Sequence, residues 1–73
     1  MNFNWPEIAK SKKGIRTSDG KACGDVVAEA GDIFFVIEGA IKEHTYRIPK
    51  SKVAYFDGSE VTLTLSYLEL SNY

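Results

Sequence analysis

Read for its apolar and polar positions, the chain alternates short hydrophobic runs with turn-forming residues about every ten positions. The punctuation is Asp19-Gly20, Gly24, Gly31-Asp32, Gly39 and Asp57-Gly58. Between these marks lie runs rich in Val, Ile, Phe, Tyr and Thr, the composition of strands. The pattern predicts six of them, near Lys13 to Ser18, Ala22 to Ala30, Ile33 to Glu38, Thr45 to Ile48, Val53 to Phe56 and Glu60 to Leu65. Each Asp-Gly pair supplies the positive φ that a tight hairpin turn demands, so each is expected to close a hairpin.

Alternation assigns faces. Val61, Leu63 and Leu65 share one side of the last strand, and Thr62 and Thr64 the other. In "IFFVI", Ile33 to Ile37, both sides are apolar. That strand is either central and covered by a terminus on its outer face, or Phe34 and Val36 belong to a patch that binds something. In "TYRIPKSKVAYF", Tyr46 and Ile48 share a face, Pro49 ends the pairing and Val53 restarts it. A chain this small buries such ribbons by curling the sheet, with Gly14 and Gly24 as the expected bends. The expected architecture is an all-β, six-stranded antiparallel barrel. One domain spans residues 1–73, with a core at about 13–65 and terminal arms at 1–12 and 66–73.

The arms differ from the middle. In "FNWPEIAKSK", Phe3, Trp5 and Ile8 accompany a helix-friendly stretch that Asn4 can cap and Pro6 can open. In "SYLELSNY", Ser66 is a candidate cap, and Leu68 and Leu70 are placed to fold back as a lid.

Composition narrows the class. With 73 residues, 44% hydrophobic, 26% charged and 12% aromatic, the chain has the balance of one globular core. It contains no apolar run near the roughly 20 residues that span a bilayer, and no secretory leader pattern, so a cytoplasmic protein without membrane insertion is expected. The single cysteine, Cys23, reads as a small apolar filler in a reduced compartment.

Catalytic constellations are scarce. His44 is the only histidine, its neighbour Glu43 points to the opposite side of a strand, and no serine has a base or glycine elbow beside it. Asp25, Glu29, Asp32 and Glu38 read as a solvated acidic face. The expectation is a non-enzyme with no catalytic, metal or cofactor-binding residues and no cofactor.

Charge is unevenly spread. Residues 1–21 hold five basic and two acidic side chains, and residues 22–73 hold four and eight. Nucleic acid is therefore the weaker of two partner classes, and the front cluster Lys10, Lys12, Lys13 and Arg16 is where it would be met.

"GIRTSDGKACGDVVAEAGDIFFVIEG" followed by "HTYRIPKSKVAYFDGSEVTLTL" resembles the PRC-barrel family. The likeness rests on the first Asp-Gly turn, the Gly-x-Val at Gly24 to Val26, a hydrophobic third strand, the aromatic-x-Ile-Pro corner, and the later Asp-Gly before a closing strand. It spans residues 14–65. It implies a small stand-alone prokaryotic or archaeal member: a non-catalytic barrel serving as a protein-docking adaptor whose partner is another protein or a second copy of itself. The family has no fixed catalytic or cofactor residues to carry over. The alternative is an RNA- or ribosome-associated barrel. On the docking reading, Trp5, Phe34, Val36, Tyr55 and Tyr67 are the side chains expected at an interface.

Overall fold

The computed structural model describes residues 4–39 and 41–73; Phe3 lies outside them. The chain opens with α1 (Trp5–Lys10). The Asn4 side chain accepts the Glu7 N–H at 3.2 Å, and Pro6 occupies the first turn, where no amide hydrogen is needed. Six strands follow: β1 (Gly14–Arg16), β2 (Ala22–Ala30), β3 (Ile33–Glu38), β4 (His44–Pro49), β5 (Val53–Phe56) and β6 (Glu60–Leu63). A 3₁₀ turn at Lys50–Lys52 joins β4 to β5, and another covers Leu68–Asn72.

The strands form one sheet in the order β4-β3-β2-β1-β6-β5. Two features depart from the expected antiparallel barrel. First, β1 and β6 run parallel, Gly14 beside Glu60 and Arg16 beside Thr62. Second, β4 and β5 are the two ends of the sheet, so the described strands form a mixed, open sheet. At the β4 edge the C-terminal segment makes one backbone contact, the Arg47 N–H reaching the Tyr73 carbonyl at 3.5 Å.

Both Asp-Gly pairs sit between antiparallel strands, as expected. Asp57 Oδ1 accepts the N–H groups of Ser59 and Glu60, each at 2.8 Å. Those bonds, led by the one from Glu60, hold the Asp57 carboxyl below its ordinary value. The first strand is shorter than its sequence pattern because Thr17 belongs to the turn. Its N–H bonds the Lys21 carbonyl, and its hydroxyl lies between Asp19 and that same carbonyl. Alternation at the end of β6 survives past the ladder: Val61, Leu63 and Leu65 are buried, and Thr64 is exposed.

Pro49 lies inside β4, one residue beyond the expected end, opposite Ile33. The Arg47 N–H points away from β3, and Pro49, two residues on, turns its nitrogen the same way. The proline therefore removes no ladder bond. The Lys50 N–H then bonds the Asp32 carbonyl at 2.7 Å, which fixes the corner.

Of the two expected bends, Gly24 is one. Its φ is +116°, and a Cβ there would lie 2.3 Å from the Ile37 carbonyl oxygen. It falls where β2 is irregular against β1, between the pairs Gly14–Asp25 and Arg16–Ala22. At Gly14 a side chain would meet only ordinary contacts, the nearest at 3.8 Å, so that glycine is not required by space.

The core gathers Trp5 and Ile8 of α1 with Ile15, Cys23, Val26, Phe34, Val36, Tyr46, Ile48, Val61, Leu63, Leu65 and Leu70. Both terminal arms thus contribute to it. Trp5 stacks on Phe34 with ring centroids 4.6 Å apart. Leu70 enters the core, whereas Leu68, its expected companion in a lid, is 84% exposed. Ser66 and Glu69 bond reciprocally: the Ser66 N–H reaches Glu69 Oε1 at 2.9 Å, and the Glu69 N–H reaches Ser66 Oγ at 3.3 Å. No helix among the described residues is long and apolar enough to cross a membrane.

Candidate interaction surface

β3 decides which side of the sheet can meet a partner. Phe34 and Val36 have no exposed surface and pair with Ile48 and Tyr46 of β4 on the core side. Ile33, Phe35 and Ile37 face the other way and are half-buried. The expectation that Phe34 and Val36 contribute to a binding patch is thereby corrected, since neither has surface to offer and the outward members of the run are their neighbours. The Arg47 guanidinium lies 5.9 Å from the Phe35 ring centroid and shields part of it.

The other expected interface residues do not converge. Trp5 is 9% exposed, with one face on Phe34 and the Lys50 ammonium 5.3 Å from its ring centroid. Lys50 also pairs with Glu29 at 2.6 Å. Tyr55, 50% exposed, stands on the edge strand β5. Tyr67 follows β6, and its hydroxyl donates to Glu38, 3.0 Å from Oε1 and 3.1 Å from Oε2. The Tyr46 hydroxyl reaches the same Oε1 at 3.0 Å. Burial, reinforced by this bond, pushes the Tyr46 phenol up to about 12. The Tyr67 phenol is also raised, chiefly by its bond to Glu38. This carboxylate fastens the C-terminal segment to the end of β3.

The basic cluster is divided. Lys10 and Lys12 are exposed at and after the end of α1, and Lys12 adopts a φ of 52°. Lys13 is half-buried, with its carbonyl bonded to the Val26 N–H at 2.9 Å. Arg16 is committed elsewhere. Its Nε and one terminal nitrogen reach the two Glu60 carboxylate oxygens at 3.2 and 3.0 Å, and the other terminal nitrogen reaches the Gly20 carbonyl at 2.6 Å. This two-pronged contact spans the parallel β1–β6 pair.

A shallow, open groove of about 490 Å³ lies beside the Gly24 irregularity. Val27 and Ile37 give it an apolar part, Gly24 and Gly39 bring backbone close to the surface, and Lys12, Asp25 and Glu43 supply charge. Gly39 is needed for space as well as conformation: at its φ of +104°, a Cβ would meet the Lys42 carbonyl oxygen at 2.4 Å. The Gly39 backbone thus packs closely on the Lys42 carbonyl. Ile41, two positions from each of the groove-lining Gly39 and Glu43, has its whole side chain in solvent, 101% exposed.

The sequence reading missed this site. Its available signals were a lone isoleucine inside a polar connection and the second apolar side of "IFFVI". Among the described residues no group of three His, Cys, Asp or Glu side chains is arranged to hold a metal ion. His44 is exposed, its ring 4.4 Å from that of Tyr46. Comparison with known proteins finds no matching family model, no similar curated protein and no similar solved structure.

Proposed function

We propose that this chain is a non-catalytic protein-docking module of the PRC-barrel type. It engages its partner through the groove between β2 and the Gly39–Glu43 loop. The observation that carries this reading is the fully exposed Ile41, two positions from each of Gly39 and Glu43, which line an open groove together with Val27 and Ile37. A large aliphatic side chain in water gains about 1.5–3 kcal/mol when buried, and an apolar cluster rimmed by charge is the usual form of a protein-binding site. The family resemblance gains support from the positions its motif marks: Gly24 makes the irregularity in β2, Pro49 ends β4, and Asp57-Gly58 turns β5 into β6. The open sheet and its parallel β1–β6 pair are this chain's departures from a closed antiparallel barrel.

An RNA-binding role would draw on Lys10, Lys12, Lys13 and Arg16. The engagement of Arg16 with Glu60 and Gly20 weakens that alternative. The test is affinity purification from the native cell with the full chain, wild type against Ile41→Asp. Because Ile41 is fully exposed, the variant is expected to fold as the wild type does, which amide spectra check. Proteins retained by the wild type and lost from the variant support docking at the groove; identical recovery overturns it.

A further inference from the structure

We propose that the occupant of the groove is a second copy of this chain, held in a two-fold dimer in which Ile41 of each protomer enters the groove of the other. The inference rests on the docking reading above and names its partner. Three observations carry it.

First, knob and hole are close along the chain. Gly39 and Glu43 line the groove, and the fully exposed Ile41 lies two positions from each of them. A two-fold axis beside the loop therefore brings each knob to the other's hole simultaneously, as an isologous interface requires. Second, charges match. The groove lining carries Asp25 and Glu43 against the single Lys12, a net negative site. The residue following the knob is Lys42, exposed and positive, so the copy that inserts Ile41 delivers its lysine to the carboxylates. The exchange is reciprocal and each contact occurs twice. Third, the Gly39 backbone packs so closely on the Lys42 carbonyl that no side chain fits there, so the two residues flanking the Ile41 turn already meet before association. The groove, at about 490 Å³, has ample room for an isoleucine side chain and the stem of the adjacent lysine.

The experiment is sedimentation of the full chain over a range of concentrations. The wild type is expected to self-associate to a dimer, weakly, as small interfaces do, with dimer evident by about 0.5 mM. Ile41→Asp should weaken this at least about tenfold. Charge reversal gives a second reading that does not depend on loss alone. Lys42→Glu and Asp25→Lys each place like charges at both contacts of a homodimer, and each alone should be monomeric. Mixed together, they place opposite charges at both contacts and should form a heterodimer. All three side chains are exposed, and amide spectra matching the wild type establish that the variants fold. A wild type that stays monomeric, a dimer indifferent to Ile41→Asp, or a mixture no tighter than its components overturns the proposal. Should the dimer fail while Ile41-dependent capture of a different protein persists, the docking reading survives without it.

Discussion

Trp5 lies against Phe34 with their ring planes inclined by 27°. This contact ties a six-residue helix, too short to persist alone, to the centre of a strand seated between two others. Trp5→Ala should therefore remove most of what holds α1 in place, at a cost of about 3 kcal/mol. Urea unfolding followed by far-ultraviolet circular dichroism measures the loss. A change below about 1 kcal/mol would mean that Ile8 and Ala9 hold α1 against the core without it.

Two glycines in the same part of the sheet should respond oppositely. Gly24→Ala forces a Cβ to within 2.3 Å of the Ile37 carbonyl at a φ of +116°, and should cost on the order of 3 kcal/mol. Gly14→Ala meets nothing closer than 3.8 Å and should stay within about 0.5 kcal/mol of the wild type. Thermal melts of the two variants side by side separate local strain from a general intolerance of the strand.

The Tyr46 phenol, raised to about 12 by burial and by its bond to Glu38, links stability to alkaline pH. Its folded value exceeds the ordinary value of 10.0. The neutral phenol therefore contributes its full stabilisation below 10, and that contribution declines as the pH rises through about 12. Tyr67, shifted in the same direction, adds to the decline. Tyr46→Phe should flatten it. Chemical denaturation at a series of alkaline pH values checks this; an unaltered pH dependence in the variant would assign the effect elsewhere.

Cys23 has no exposed surface, and burial pushes its thiol up to about 12. With thiolate scarce and access blocked, alkylation should proceed only through opening of the fold. The labelling rate with iodoacetamide should then follow the open population, rising with urea and with Trp5→Ala. Rapid labelling of the native protein at neutral pH would contradict the burial.

Much of this architecture was legible before any coordinates. The helix cap at Asn4, the two Asp-Gly hairpins, the inward set Val61, Leu63 and Leu65, and the bend at Gly24 each follow from residues within a few positions of one another. Two things were not local. The parity of β3 could not be read because both sides of "IFFVI" are apolar, and its polar neighbours Asp32 and Glu38 share the phase of the buried pair Phe34 and Val36. Those charges suggested a wet face, yet Glu38 sits on the core side, with two tyrosine hydroxyls as partners. The parallel union of β1 and β6 depends on residues more than forty positions apart, and no short-range periodicity encodes it. The groove was hidden for the same reason, since Lys12, Asp25 and Glu43 meet only after three separate elements are assembled.

Because β1 and β6 are neighbours that point the same way, tension between the beginning of the former and the end of the latter would drag them past each other lengthwise. The hydrogen bonds of that seam, with the Arg16–Glu60 fork lying across it, would then bear the load together rather than opening one after another. Stretched from opposite ends of this parallel pair, the sheet should behave as a clasp, resisting traction far better along this axis than it would if its edge hairpins were peeled apart.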